Sequence, residues 1–412
     1  MPTRRAEQIR AAHRHRIEDH MRELDVVCFG STGFTGQRLA AYMAKAAPPG
    51  LKWAIAGRDR ARLDALAAQL GGVPVRVADA ADRAACDALA ASTRVIASTA
   101  GPFIKYGDAL VDACVAHGTH WCDITGETPW IRGLIDRDHD AAIASGARIV
   151  PACGFDSVPS DIGVYVAVKW IRDTWDQPTA AVLGAFSARG GLNGGTLASA
   201  LELSTAKGVG DPALLSPAAW RERERASAPS DLPSVSWNAD LERFVGPFFM
   251  AATNTRVVRR SRALWAEAGL NYGDAFTYGE VIESRSRTLP WTMAIGMPVG
   301  FLALRTGVGK RLAKRFGPKP GEGPSAEVLE NGFFRARILA TAGDGRKALA
   351  VVEDQLDPGN GATVKMLGEC ALALAAGEGD PRGGVRTPAT ALGDALVDRL
   401  RRAGMTITVG PV

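Results

Sequence analysis

The stretch DVVCFGSTGFTGQRLAAYM, residues 25–43, constrains the fold more than any other. An apolar run ends at Gly30, Gly33 and Gly36 follow at equal spacing, and aliphatic residues then recur every three to four positions. That order reads as a strand, a turn stripped of side chains and a helix that starts between Phe34 and Gly36. Such a turn lets a pyrophosphate approach the backbone, and free N–H groups at the helix start meet its charge. Gly36 also permits close packing of helix on sheet, and Ser31, Thr32 and Thr35 offer hydroxyl groups. The spacing is G-x-x-G-x-x-G, not the familiar G-x-G-x-x-G, and a purely structural turn is the competing reading.

The pattern continues beyond this unit. Apolar runs at 25–30, 52–57, 74–79, 94–99, 120–125 and 147–152 alternate with helical segments such as 36–46 and 60–70. Strands separated by helices of this length need right-handed crossovers, so the expected fold class is α/β, with a Rossmann domain over 25–155 built on a parallel, doubly wound sheet. After about 155 the strands lengthen, at 273–286, 332–343 and 347–356, which predicts a second α/β domain over 156–385 with a largely antiparallel or mixed sheet. Helices are expected within 191–208, 365–377 and 387–404. Stretches 219–236 and 317–325 read as linkers. Residues 1–24 form a charged extension without an apolar segment, so no secretory signal is expected.

The end of the second strand discriminates between cofactors. NAD sites commonly place Asp or Glu there, against the ribose 2′-hydroxyl. Here the sequence is AIAGRDRARL, and Arg58 offers a planar fork of donors suited to the 2′-phosphate of NADP. Asp59 would take the ribose if Arg58 points outward, with Arg60 and Arg62 assisting. Asp79, after the third strand, is expected on the adenine side. Thr99, Ala100, Gly101 and Pro102, after the fourth, are expected at the nicotinamide half, because ligands of open α/β sheets collect at the carboxyl ends of the strands.

Acid–base candidates are fewer. All six histidines precede residue 140, so the second domain supplies no histidine base. Tyr106 is the candidate proton donor, and Asp156 and Ser157 are the further catalytic candidates, expected to line the active cleft. Helix capping is the competing role for Ser157, and packing is that for Tyr106. Asp123 and Glu127 are expected to shape the cleft. No metal site is expected, because neighbouring ligands in HGTHWCDITGE would point to opposite faces of a strand. The six cysteines form no C-x-x-C pair and read as reduced core residues of an intracellular protein. The net charge of +5 is too weak a bias to imply nucleic acid. The apolar run at 291–304 is shorter than the ~20 residues of a membrane span. It reads as a buried core or interdomain segment, or as a surface covered by lipid or a partner, with the basic residues up to 313 at the headgroups.

FGSTGFTG, AGRDRARL, AGPFIKYG, HGTHWCDITGE, ACGFDSVPSD, GGLNGGTLAS, KPGEGPS and GGVRTPATALG together resemble the saccharopine dehydrogenase-like oxidoreductases, in particular the bacterial branch of trans-acting enoyl reductases. The resemblance spans about 24–404. It implies NADP held by Gly30, Gly33, Gly36 and Arg58, and a cleft bordered by the loops at 100–107 and 152–161. It also implies a second domain for substrate or homodimer contacts, and a C-terminal helical segment within 386–412 that returns to the first domain. The implied substrate is an unsaturated acyl thioester made by a polyketide synthase that lacks a working reductase. A small substrate such as a saccharopine-like imine, or a non-catalytic NADP-binding, lipid-associated role, is the alternative. A cytoplasmic location is expected, with contact at the plasma membrane through 291–313.

Overall fold

A computed structural model describes residues 22–191, 193–319 and 321–412; the extension expected over 1–24 lies almost wholly outside them. Strands β1 (Leu24–Phe29), β2 (Trp53–Gly57), β3 (Val75–Val77), β4 (Thr93–Ser98), β5 (His120–Asp123) and β6 (Arg148–Val150) lie where the apolar runs place them. The second sheet contains β7 (Thr179–Arg189), β8 (Ser236–Asn238), β9 (Arg243–Pro247), β10 (Thr277–Ser284), β11 (Phe333–Ala342) and β12 (Lys347–Asp354). Two strands close the chain, β13 (Gly384–Val385) and β14 (Thr406–Pro411).

The first sheet runs β13-β6-β5-β4-β1-β2-β3 and is parallel throughout. Its inner strands are buried on both faces, as a parallel sheet covered by helices requires. The second runs β14-β12-β11-β7-β10-β9-β8 and is mixed: β7 pairs in parallel with β10 and antiparallel with β11. In β12, buried and half-buried residues alternate strictly along KALAVVED, the signature of a sheet with one fully packed face.

The two sheets share one core. Val26 and Cys28 of β1, Phe186 of β7 and Ile338 of β11 belong to a continuous cluster that includes the helix Thr363–Ala375, all 13 of whose residues are buried. That helix packs on the first sheet and on the helix Phe34–Ala46, where Tyr42 donates to Glu369 at 2.6 Å. Its Lys365 is paired with Asp354 of β12 at 2.6 Å. Residues 363–385 thus supply a covering helix and an edge strand to the first sheet, the helix Pro388–Arg402 also touches β6, and β14 joins the second sheet.

Two expectations are corrected. The charged part of 219–236 is no linker: in the helix Arg221–Ser227, buried Glu224 pairs with Arg262 at 2.9 Å. The apolar run 291–304 is not core: it lies in the helix Thr288–Leu304, where Pro290 alone is buried.

A buried polar network ties the helix Val158–Trp175 to the second sheet. The Glu280 carboxyl accepts from Ser160 Oγ and Tyr278 Oη, each at 2.6 Å, and from Asn254 Nδ2 at 3.0 Å. Burial pushes its pKa up to about 7. The folded state thus holds a proton that the unfolded chain releases above its ordinary carboxyl pKa, and this contribution is lost as pH rises towards about 7. Urea denaturation should show wild type losing about 2–3 kcal/mol more stability between pH 5 and pH 8 than Glu280→Gln, which cannot ionise. Equal losses would contradict this assignment.

Candidate functional site

The carboxyl ends of β1, β2, β4, β5 and β6 lie along one edge of the parallel sheet, where ligands of open α/β sheets collect. Gly30 leaves β1 with φ +82°, and its N–H donates to Ala56 O of β2 at 2.9 Å. A β-carbon on Gly36 would stand 2.1 Å from Gly30 O, so the motif's third glycine is required by the approach of helix to turn. No described side chain caps this helix at Gly33. Its first-turn amides have no intrahelical acceptor, which leaves a bare backbone cradle that fits the pyrophosphate of a dinucleotide. The hydroxyls divide: Ser31 is buried and turned back onto Cys28 O at 2.7 Å, whereas Thr32 remains partly exposed. Thr35 is buried. The ring of Phe34 lies under the Arg38 guanidinium at 3.6 Å.

The residues after β2 sort themselves by their partners. Asp59 caps its own helix by accepting from the Arg62 amide at 3.1 Å. Arg60 pairs with Asp64 at 2.8 Å, and Arg62 reaches Thr32 O at 2.9 Å, tying this helix to the glycine turn. Arg58 is exposed and has no hydrogen-bond or ion-pair partner among the described residues. Of Arg58, Arg60 and Arg62 it alone has no such partner. Asp79 is exposed past β3, where its carboxylate accepts from the Ala81 amide at 3.0 Å.

On the other side of the turn, the Thr99 amide donates to Phe29 O at 3.0 Å. A β-carbon on Gly30 would stand 3.0 Å from Ala100 Cβ, so the glycine turn and the 99–102 loop are in contact. Gly101 and Pro102 are partly exposed, and Pro102 leads into the short helix Phe103–Tyr106. Glu127 holds the start of that helix: its carboxylate accepts from the Phe103 and Ile104 amides at 3.0 and 2.8 Å. It also accepts from Ser199 Oγ at 2.7 Å, a link from the first domain to the helix Gly194–Leu203. Lys105 makes a second link to this helix, with Glu202 at 2.6 Å.

Asp156 lies between these parts. It is partly exposed, and no described side chain or amide of another residue hydrogen-bonds its carboxyl group. A β-carbon on Gly126 would stand 3.2 Å from its Oδ1, so bare backbone beside it makes room for the carboxyl. Burial pushes its pKa up to about 7, and the neighbouring Glu127 carboxylate adds to the rise. An unpartnered acid that titrates near neutrality, in a cleft, is suited to moving a proton. Asp123 is raised to about 7 by burial as well, but it is fully engaged by Trp121 Nε1 at 2.6 Å, the Thr125 amide at 2.8 Å and the Ala152 amide at 3.2 Å. It locks the ends of β5 and β6 and holds Ala152 at φ +61°.

The other two catalytic candidates are placed differently. Ser157 is fully buried and donates to Asn254 Oδ1 at 3.3 Å, within the Glu280 network. Tyr106 is 47% exposed, and no described residue orients its hydroxyl. Arginines that could serve an amino-diacid substrate do not converge: Arg189 donates to Asn331 O, Arg256 pairs with Asp231, and Arg335 pairs with Glu353.

Two motifs without an assigned role prove to border the cofactor turn. The Gly194 amide of GGLNGGTLAS donates to Glu322 O of KPGEGPS at 3.0 Å. A β-carbon on Gly323 would fall inside the Phe34 ring contact, 2.1 Å from its Cζ. Their glycine content was the available signal. Among the described residues no His/Cys/Asp/Glu group could hold a metal ion.

Arg58→Ala should weaken NADPH binding at least ~10-fold relative to NADH in a fluorescence titration, the scale of one charge-assisted phosphate contact. An unchanged preference would remove Arg58 from the site.

Residues 26–150 match the model of the saccharopine dehydrogenase NADP binding domain. The chain is 41% identical to a Mycobacterium tuberculosis protein provisionally named a trans-acting enoyl reductase, over 94% of this chain and 97% of that one. It is 34% identical to a trans-acting enoyl reductase of Mycobacterium ulcerans, over 94% and 98%. Among solved structures it shares its fold with saccharopine dehydrogenase (L-Glu forming) of Saccharomyces cerevisiae, at TM-score 0.54 and 13% identity, over 94% of this chain and 99% of that one. A Legionella pneumophila homospermidine synthase in complex with NAD gives TM-score 0.52 at 11% identity, over 95% and 92%. The chain belongs to the trans-acting enoyl reductase family, an NADP-binding branch of the saccharopine dehydrogenase fold.

Proposed function

We propose that this chain is an NADPH-dependent reductase of α,β-unsaturated acyl thioesters, working in trans on intermediates of a polyketide synthase. The relatives' names support the reaction class, and the observation that carries the chemistry is Asp156. NADPH, when bound, supplies a hydride for the β-carbon of the conjugated thioester. The chain must then hold the cofactor, align the acceptor and deliver a proton to the α-carbon. The glycine turn would hold the pyrophosphate, Arg58 would take the 2′-phosphate, and the 99–102 loop would border the nicotinamide half. Asp156 gives its proton to the α-carbon and regains one from solvent through its exposed side. Glu127 positions the 103–106 helix and, by its charge, adds to the burial that raises the Asp156 pKa to about 7.

An imine or amino-diacid substrate is less well served. Its carboxylates would need convergent cations, and Arg189, Arg256 and Arg335 are committed elsewhere.

With Asp156 as the acid, kcat on an enoyl thioester should fall as pH rises through about 7. Asp156→Asn should lower kcat by ~10²–10⁴-fold, remove that alkaline limb and leave NADPH affinity unchanged. An intact limb in the variant would assign the proton to another group.

A further inference from the structure

The helices Thr288–Leu304 and Gly307–Phe316 form a pair bent by 105° that projects from the second sheet. The first helix rests on β9 and β10. Its buried or half-buried residues Pro290, Met293, Ala294 and Met297 fall at helical spacing on one stripe. Trp291, Ile295, Val299 and Leu302 face outward, Leu302 at 66% exposure. On the second helix Val308, Leu312 and Phe316 make an exposed apolar stripe, with Phe316 at 77%. Lys310, Arg311, Lys314 and Arg315 occupy the flank beside it. An apolar surface of this extent on a soluble chain marks a contact face.

Its charge identifies the occupant. Residues 285–321 contain eight Lys or Arg and no Asp or Glu, whereas the whole chain carries only +5. The remainder is therefore net negative, and positive charge is concentrated beside the apolar stripe. Apolar side chains flanked by basic residues of one sign fit a continuous negative surface with an apolar interior. Among the described residues no single helix is long and apolar enough to cross a membrane; these two helices reach that length only as a pair bent by 105°, and the first of them is laid against β9 and β10.

We propose that the 288–316 helix pair docks on an anionic lipid bilayer, with its apolar stripes at the acyl boundary and its basic residues among the headgroups. The pair is seated on the cleft: Ser204 Oγ donates to Leu304 O at 3.2 Å, and a β-carbon on Gly317 would stand 2.3 Å from Leu197 Cδ2. Both contacts are at the helix Gly194–Leu203, whose Ser199 bonds Glu127. Docking thus sets the mouth of the cleft at the lipid surface.

The full chain is sedimented with vesicles of phosphatidylcholine alone or mixed with phosphatidylglycerol. Two variants are compared, K310E/R311E/K314E/R315E and I295S/L302S/F316S, with circular dichroism and NADPH titration as controls of folding. All substituted positions are outside both cores. Wild type should bind the mixed vesicles at least ~10-fold more tightly than phosphatidylcholine, the charge variant should bind them ~100-fold more weakly, and the apolar variant should lose binding. Absence of wild-type binding, or binding that both variants retain, overturns the proposal. So does a solution dimer that the apolar variant converts to monomer without any vesicle binding, which would assign the face to a second copy. Vesicle binding is read without substrate turnover, so it stands or falls separately from the reductase reading.

Discussion

The structure depends on the return of residues 363–385 to the first sheet. A parallel sheet must be covered on both faces, and here one covering helix, Thr363–Ala375, comes from the chain between two strands of the second sheet, β12 and β14. Because that helix is buried on every side, its apolar residues stabilise both sheets at once. Its polar residues are matched rather than removed: Lys365 meets Asp354, and Glu369 meets Tyr42 and Arg399. Buried charges are tolerated only when paired in this way. The two domains are consequently a single packed body, and the cleft between their edges has a defined geometry.

The buried acids of the two domains are separated by their hydrogen bonds. Asp123, Asp156, Asp161 and Glu280 are all pushed upward by burial. Asp123 and Glu280 are held by three partners each, and Asp161 by Ser261 and the Ala389 amide. Asp156 differs in lacking such partners and in reaching the open side. Desolvation sets the proton affinity of all four, while the absence of competing donors leaves only Asp156 available for chemistry.

The first domain was legible because its signals are local. Each of β1 to β6 is an apolar run, most of them beside a helix, and Gly36 is demanded by its contact with Gly30 O six residues earlier, while Gly30 is demanded by its φ of +82°. What escaped the sequence depends on distant partners. RVVRRSR at 256–262 carries four arginines, and Arg256, Arg259, Arg260 and Arg262 are all buried, their guanidinium groups reaching backbone carbonyls of Asp211, Pro212, Leu215 and Gly273. The apolar helix Thr288–Leu304 shows the reverse, an apolar run left outside both cores. Ser157 has a pattern suited to catalysis and a neighbour, Asn254, that only the fold reveals.

Deuterium at C4 of NADPH tests the reductase reading most directly. The purified chain is incubated with labelled NADPH and an α,β-unsaturated acyl thioester, and the product is analysed by mass spectrometry and NMR. A saturated thioester with one deuterium at the β-carbon and a solvent-derived hydrogen at the α-carbon is the predicted result. A thioester recovered unreduced, while the label passes to an imine or another small acceptor, would contradict it.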